Sequence, residues 1–131
     1  MDTPIKRKIF IVDDDKFLLS MYSIKFQKEG FEVVVAVDGN DALTKLREGL
    51  KPDAIILDIV MPVMDGLELL QKIRDEHLVE DSVIIILSNQ GQSSDIEKAK
   101  QLGVEGYIVK ATTIPSEVLA EVKKVLARHN K

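Results

Sequence analysis

Residues 9–17 read IFIVDDDKF, four apolar residues running straight into Asp13, Asp14 and Asp15. An apolar run without polar alternation is what a strand covered on both faces requires, so this stretch reads as a strand of a buried parallel sheet. The acids then stand at its carboxyl end. Adjacent carboxylates repel, and withdrawing even one from water is unfavourable, so the cluster needs either solvent around it or a cation.

Outward from this stretch the same pattern recurs. Strand-like runs occupy 8–12, 32–36, 54–57, 83–87 and 107–109, and helical spacing occupies 16–29, 41–48, 67–76, 95–102 and 115–128. Gly30, Gly49 and Gly103 stand where helices should stop. Asp65 with Glu68, and Ser94 with Glu97, have the spacing of a helix-starting cap. Five strands alternating with five helices specify an α/β protein with a doubly wound parallel sheet. In the fourth helix, QSSDIEKAKQLG, only Ile96, Ala99 and Leu102 form an apolar face, so this helix is weakly anchored and easily displaced. The last helix sets Val118, Val122, Val125 and Leu126 on one stripe and Lys123, Lys124 and Arg128 on a solvated face.

A chain of 131 residues, 45% hydrophobic, suits one domain with a core of its own, and neither an internal repeat nor a linker divides it. The formal charge of -4 gives no electrostatic drive toward nucleic acid or an anionic membrane. Apolar runs such as AIIL at 54–57 and VIIIL at 83–87 are far too short to span a bilayer, and the amino terminus lacks the apolar core of a signal peptide. The absence of cysteine excludes disulfides, thiolate metal sites and cysteine nucleophiles, and fits a cytoplasmic protein.

Ligand sites of open parallel sheets lie at the carboxyl ends of the strands. Asp13 and Asp14 end the first strand, Asp58 ends the third (AIILDIVMP), Ser88 the fourth (IIILSN) and Lys110 the fifth (YIVKA). Singly, each reads as a turn residue or a cap; jointly, they converge on one edge. Asp13, Asp14 and Asp58 carry three negative charges, which one divalent cation and Lys110 would neutralise. Magnesium suits such a site, because it takes a few carboxylates and keeps several waters. Asp15 is expected to face solvent or support the next helix's amino end.

The segments VDDD, LDIVMPVMDG, LSN and GYIVK, in this order along essentially the whole chain, resemble the receiver domain of two-component response regulators, in a stand-alone form like the chemotaxis regulators. The resemblance implies a flavodoxin-like (βα)5 three-layer sandwich with strand order 2-1-3-4-5, forming one domain over 1–131 with no output domain. It implies that Asp58 accepts a phosphoryl group from the phosphohistidine of a sensor histidine kinase or a phosphotransfer protein. Asp14 and Asp58 would ligate Mg2+, Asp13 would help directly or through water, and the backbone carbonyl of Val60 would complete the protein ligands. Lys110 and Ser88 would contact the phosphoryl oxygens. In the switch, Ser88 would shift toward the phosphoryl group and Tyr107 would turn inward, altering the surface of helix four, strand five and helix five for a downstream protein partner. The protein would act as a monomer or a phosphorylation-dependent dimer, without a separate substrate and without contacting nucleic acid or membrane.

Two positions depart from the family pattern. Ala111 replaces the proline that commonly follows the lysine through a cis bond, a bond that costs about 2.5 to 4 kcal/mol without proline. Asn89 replaces the small residue usual after the serine. Two other readings compete. A phosphatase with an aspartate nucleophile, of the haloacid dehalogenase type, carries a second Asp two residues on, where this chain has Val60, which cannot serve as a general acid. A phosphate-independent interaction module would need none of Asp13, Asp14, Asp58, Ser88 and Lys110.

Overall fold

Five strands, β1 (Lys8–Val12), β2 (Glu32–Ala36), β3 (Ala54–Leu57), β4 (Val83–Ser88) and β5 (Gly106–Val109), alternate with helices α1 (Lys16–Lys28), α2 (Gly39–Arg47), α3 (Gly66–Asp75), α4 (Ser93–Gln101) and α5 (Pro115–His129) in the computed structural model. It describes residues 7–88, 93–110 and 114–129. All pairings are parallel, in the order β2-β1-β3-β4-β5 expected from the resemblance.

Period-two geometry explains the unbroken apolar strands. Ile9 and Ile11, Ile56, and Ile85 and Leu87 point into one core with Leu19, Phe26, Val118 and Val122 of α1 and α5. Phe10 and Val12, Ile55 and Leu57, and Ile84 and Ile86 point into a second core with Leu43, Leu69, Leu70 and Ile73 of α2 and α3. Neighbouring side chains in one strand face opposite layers, so both must be apolar.

The joins are built by aspartate. Asp15, Asp38 and Asp65 cap α1, α2 and α3, each accepting from a free backbone N–H of the first turn, as from Glu68 N–H to Asp65 Oδ1 at 2.8 Å. Asp38 moves the start of α2 to Gly39, ahead of the expected 41, because Asp41 sits inside the first turn and donates its N–H to the cap. Helix α4 begins at Ser93, so Ser94 lies inside its first turn and is not the expected cap. Asn89, Ala111 and the Lys110–Ala111 bond lie outside the described residues.

Candidate functional site

At the carboxyl edge of the sheet β1, β3, β4 and β5 deliver their last residues to one place. Lys110 Nζ stands 2.6 Å from Asp13 Oδ2 and 3.4 Å from Asp58 Oδ2. Asp13 and Asp58 are only 2% and 5% exposed, whereas Asp14 is open to solvent. Asp13 Oδ1 accepts the Asp15 N–H at 2.9 Å, so both oxygens of this carboxylate are held. Of the three opening acids, Asp13 is buried and paired, Asp14 is at the rim, and Asp15 caps α1 by accepting from the N–H groups of Phe17 and Leu18.

Three carboxylates facing one ammonium leave a net charge of -2 in a half-dry site. Burial raises the Asp58 carboxyl, Lys110 opposes this, and the charges of Asp13 and Asp14 raise it again, bringing it to about 6. Burial would lower the Lys110 ammonium, but Asp13 and Asp58 together hold it above its ordinary value. Each of Asp13, Asp14 and Asp58 offers an oxygen within 4.8 Å of the others. The donor set is all oxygen, with one carboxylate at the solvent rim where a cation keeps its waters, and so fits magnesium. Val60 has an exposed side chain, and no hydrogen bond to its carbonyl occurs among the described residues.

Ser88 is buried at the end of β4, in register with Val109. The Tyr107 hydroxyl is a hydrogen-bond partner of the Ser88 side chain and lies near enough to Asp95 of α4 to feel its charge. The residues expected from the strand ends, with the Tyr107 that the resemblance adds, therefore fall into two groups, the acids with Lys110 and the pair Ser88–Tyr107.

Two supporting residues escape the sequence reading. Gly66 donates its N–H to Ile59 C=O at 2.7 Å, and a Cβ on it would lie 2.1 Å from the Asp58 carbonyl oxygen, so only glycine lets α3 begin against the strand that carries Asp58. The DG pair marks the turn, but not this approach. Tyr22 of α1 is buried behind the site, where burial raises its phenol and the charges of Lys110 and Asp13 reach it. Helical spacing carries no signal of that neighbourhood.

A doubly wound parallel sheet whose carboxyl edge gathers three acids, a lysine and a buried serine defines a class of small signalling domains. The family model described as response regulator receiver domain matches residues 9–123, and the chain belongs to that family. Its relatives include the alkaline phosphatase synthesis transcriptional regulatory protein PhoP of Bacillus subtilis, 33% identical over 124 residues, 95% of this chain and 50% of that protein. The DNA-binding response regulator MtrA of Mycobacterium tuberculosis is 35% identical over 130 residues, 99% of this chain and 54% of MtrA. The chain thus spans about half the length of the curated relatives it matches. Among solved structures, Vibrio cholerae chemotaxis protein CheY4 superposes with a TM-score of 0.84 at 30% identity, covering 92% of this chain and 99% of that one. A CheY-like receiver domain protein of Methanospirillum hungatei gives 0.88 at 26%, covering 96% and 98%. No helix among the described residues is long and apolar enough to cross a membrane.

Proposed function

We propose that the chain is a magnesium-dependent phosphoryl acceptor whose nucleophile is Asp58 and whose donor is the phosphohistidine of a sensor histidine kinase or a phosphotransfer protein. The observation that carries this reading is the convergence of Asp13, Asp14 and Asp58 with Lys110, which bridges Asp13 at 2.6 Å and Asp58 at 3.4 Å. An Asp58 oxygen forms a bond to phosphorus as the P–N bond to imidazole breaks, its electron pair returning to the leaving nitrogen. Above about pH 6 Asp58 is mostly ionised and able to attack. Asp13, Asp14, Asp58 and the Val60 carbonyl would hold the cation, which when bound supplies positive charge to the phosphoryl oxygens. Lys110 supplies the second positive charge, and Ser88 a hydroxyl donor.

Phosphorylation replaces a carboxylate by a larger, more negative group, which draws Lys110 and the Ser88 hydroxyl toward it. A Ser88 shift alters its bond to Tyr107 and thereby the surface of α4, β5 and α5, which a downstream protein reads. The domain acts in the cytoplasm by contact, as a monomer or as a dimer formed on phosphorylation, with no substrate beyond its own aspartate. PhoP and MtrA are named for transcriptional regulation and DNA binding; the role proposed for this receiver is the step upstream of any such output.

Intact mass after incubation with magnesium and acetyl phosphate tests the reading. One added phosphoryl group is expected, absent with Asp58→Asn and absent in EDTA. No adduct on the parent protein under any condition would leave the phosphate-independent module standing.

A further inference from the structure

Among the described residues, helix α4 is anchored toward its carboxyl end. Of its described side chains, those at 94–101, only Ala99 is buried, and none of those at 94–97 is. A groove of about 490 Å³, lined in part by Leu67, Gln71, Lys98 and Leu102, separates it from α3. Its carboxyl end is bonded to two rigid elements. Arg74, on α3, donates from Nε to Leu102 C=O at 2.7 Å and from Nη2 to Gly103 C=O at 3.1 Å. Arg74 follows Leu69, Leu70 and Ile73, which show no exposure, so the guanidinium is presented from a fixed base. One residue past Val104, Glu105 donates its N–H to Ile84 C=O at 2.8 Å and accepts the Ile84 N–H on Oε1 at 3.0 Å, tying the chain to β4.

The two carbonyls that Arg74 takes follow the last helical residue, where the helix dipole is negative and carbonyls lack intrahelical donors. A forked cation satisfies two of them at once, and its charge strengthens each bond. The opposite end of α4 carries Asp95, whose charge reaches Tyr107, the hydrogen-bond partner of Ser88.

We propose that Arg74 is the positioning residue of α4: it pins the carboxyl end at Leu102–Gly103, so that the helix moves as a lever whose amino end swings beside Ser88 and Tyr107. The lever rests on the phosphoacceptor reading above; the pin does not. A helix clamped at one end converts a small shift at Ser88 into a rotation, whereas an unclamped helix would fray or slide.

Residue-resolved hydrogen exchange by NMR on the resting protein and on the protein with magnesium and beryllofluoride decides both parts. In the resting state Arg74→Ala should raise exchange at Leu102, Gly103 and Val104 roughly tenfold while leaving β1 and β3 protected, and Arg74→Lys, with one ammonium in place of the fork, should fall between. With beryllofluoride, amides at 95–99 should change and those at 102–105 should not; in Arg74→Ala the change should spread to 102–105. Unchanged exchange at 102–104 in the resting alanine variant would overturn the pin. An equal response along the whole of α4 in the parent protein would overturn the lever. If amides beside Asp58 ignore beryllofluoride, the phosphoacceptor reading fails and the lever with it, while the resting comparison still decides the pin.

Discussion

Gly66 and Asp58 are packed so closely that no side chain fits between them: a Cβ on Gly66 would lie 2.1 Å from the Asp58 carbonyl oxygen and 2.8 Å from Ile59 Cα. The obstacle is backbone, which cannot rotate away. Gly66→Ala should therefore destabilise the domain by about 3 kcal/mol, the upper range for overpacking, or prevent folding. Urea unfolding measures it; a loss below about 1 kcal/mol would mean that α3 can draw back from β3.

Asp58 is unfavourable for the resting fold at neutral pH. Its carboxyl stands at about 6 in the folded protein against an ordinary 3.8. A raised carboxylate destabilises where it is ionised: the penalty is full above about pH 6, shrinks as pH falls through that value, and vanishes below 3.8, where both states are protonated. In EDTA, Asp58→Asn should thus stabilise the protein by on the order of 2 kcal/mol at pH 7.5, and by roughly half that at pH 5. Denaturant midpoints at the two pH values check the sign, and equal midpoints for parent and variant at pH 7.5 would contradict it.

Lys110 offsets two buried carboxylates with one ammonium whose side chain is only 8% exposed. Lys110→Met keeps the length and removes the charge, leaving Asp13 and Asp58 facing each other. The loss should be roughly 3 kcal/mol at pH 7.5, as for breaking a buried pair, and smaller at lower pH as Asp58 takes a proton. Carboxyl NMR titration should find Asp58 moved further up; a downward move would mean that Lys110 is not its main compensating charge.

Val63 is a β-branched residue at φ +69, 92% exposed, in a tight turn closed by Met64 N–H donating to Pro62 C=O at 2.8 Å. Relief of such strain is worth roughly 1 to 3 kcal/mol, and glycine's greater freedom in the unfolded chain takes back about 0.5 to 1. Because the side chain buries almost nothing, Val63→Gly should be net stabilising by about 1 kcal/mol. Thermal unfolding reads this as a rise in Tm, and a fall would show that the valine conformation is unstrained.

How far the sequence reaches depends on the range of the interaction. The strands, the glycine stops at Gly30, Gly49 and Gly103, the alternation of elements and the acids at strand ends rest on neighbours a few residues apart, and burial on both faces writes itself into each strand as an unbroken apolar run. From these the sheet class and its functional edge follow. The three aspartate joins were only half legible: Asp65 has the cap spacing, but helical spacing starts the second helix at Asp41, and only the packed loop makes Asp38 its cap. At the site, residue types at strand ends nominate Asp13, Asp14, Asp58, Ser88 and Lys110, yet the pairing of Lys110 with Asp13 joins residues 97 apart. The proximity of Tyr22, the exclusion of any side chain at Gly66 and the hold of Arg74 on the end of α4 likewise exist only once separate elements pack. Local periodicity is a property of the chain and can be read from it, whereas charge balance, close approach and leverage are properties of distances between elements, which the tertiary structure alone decides.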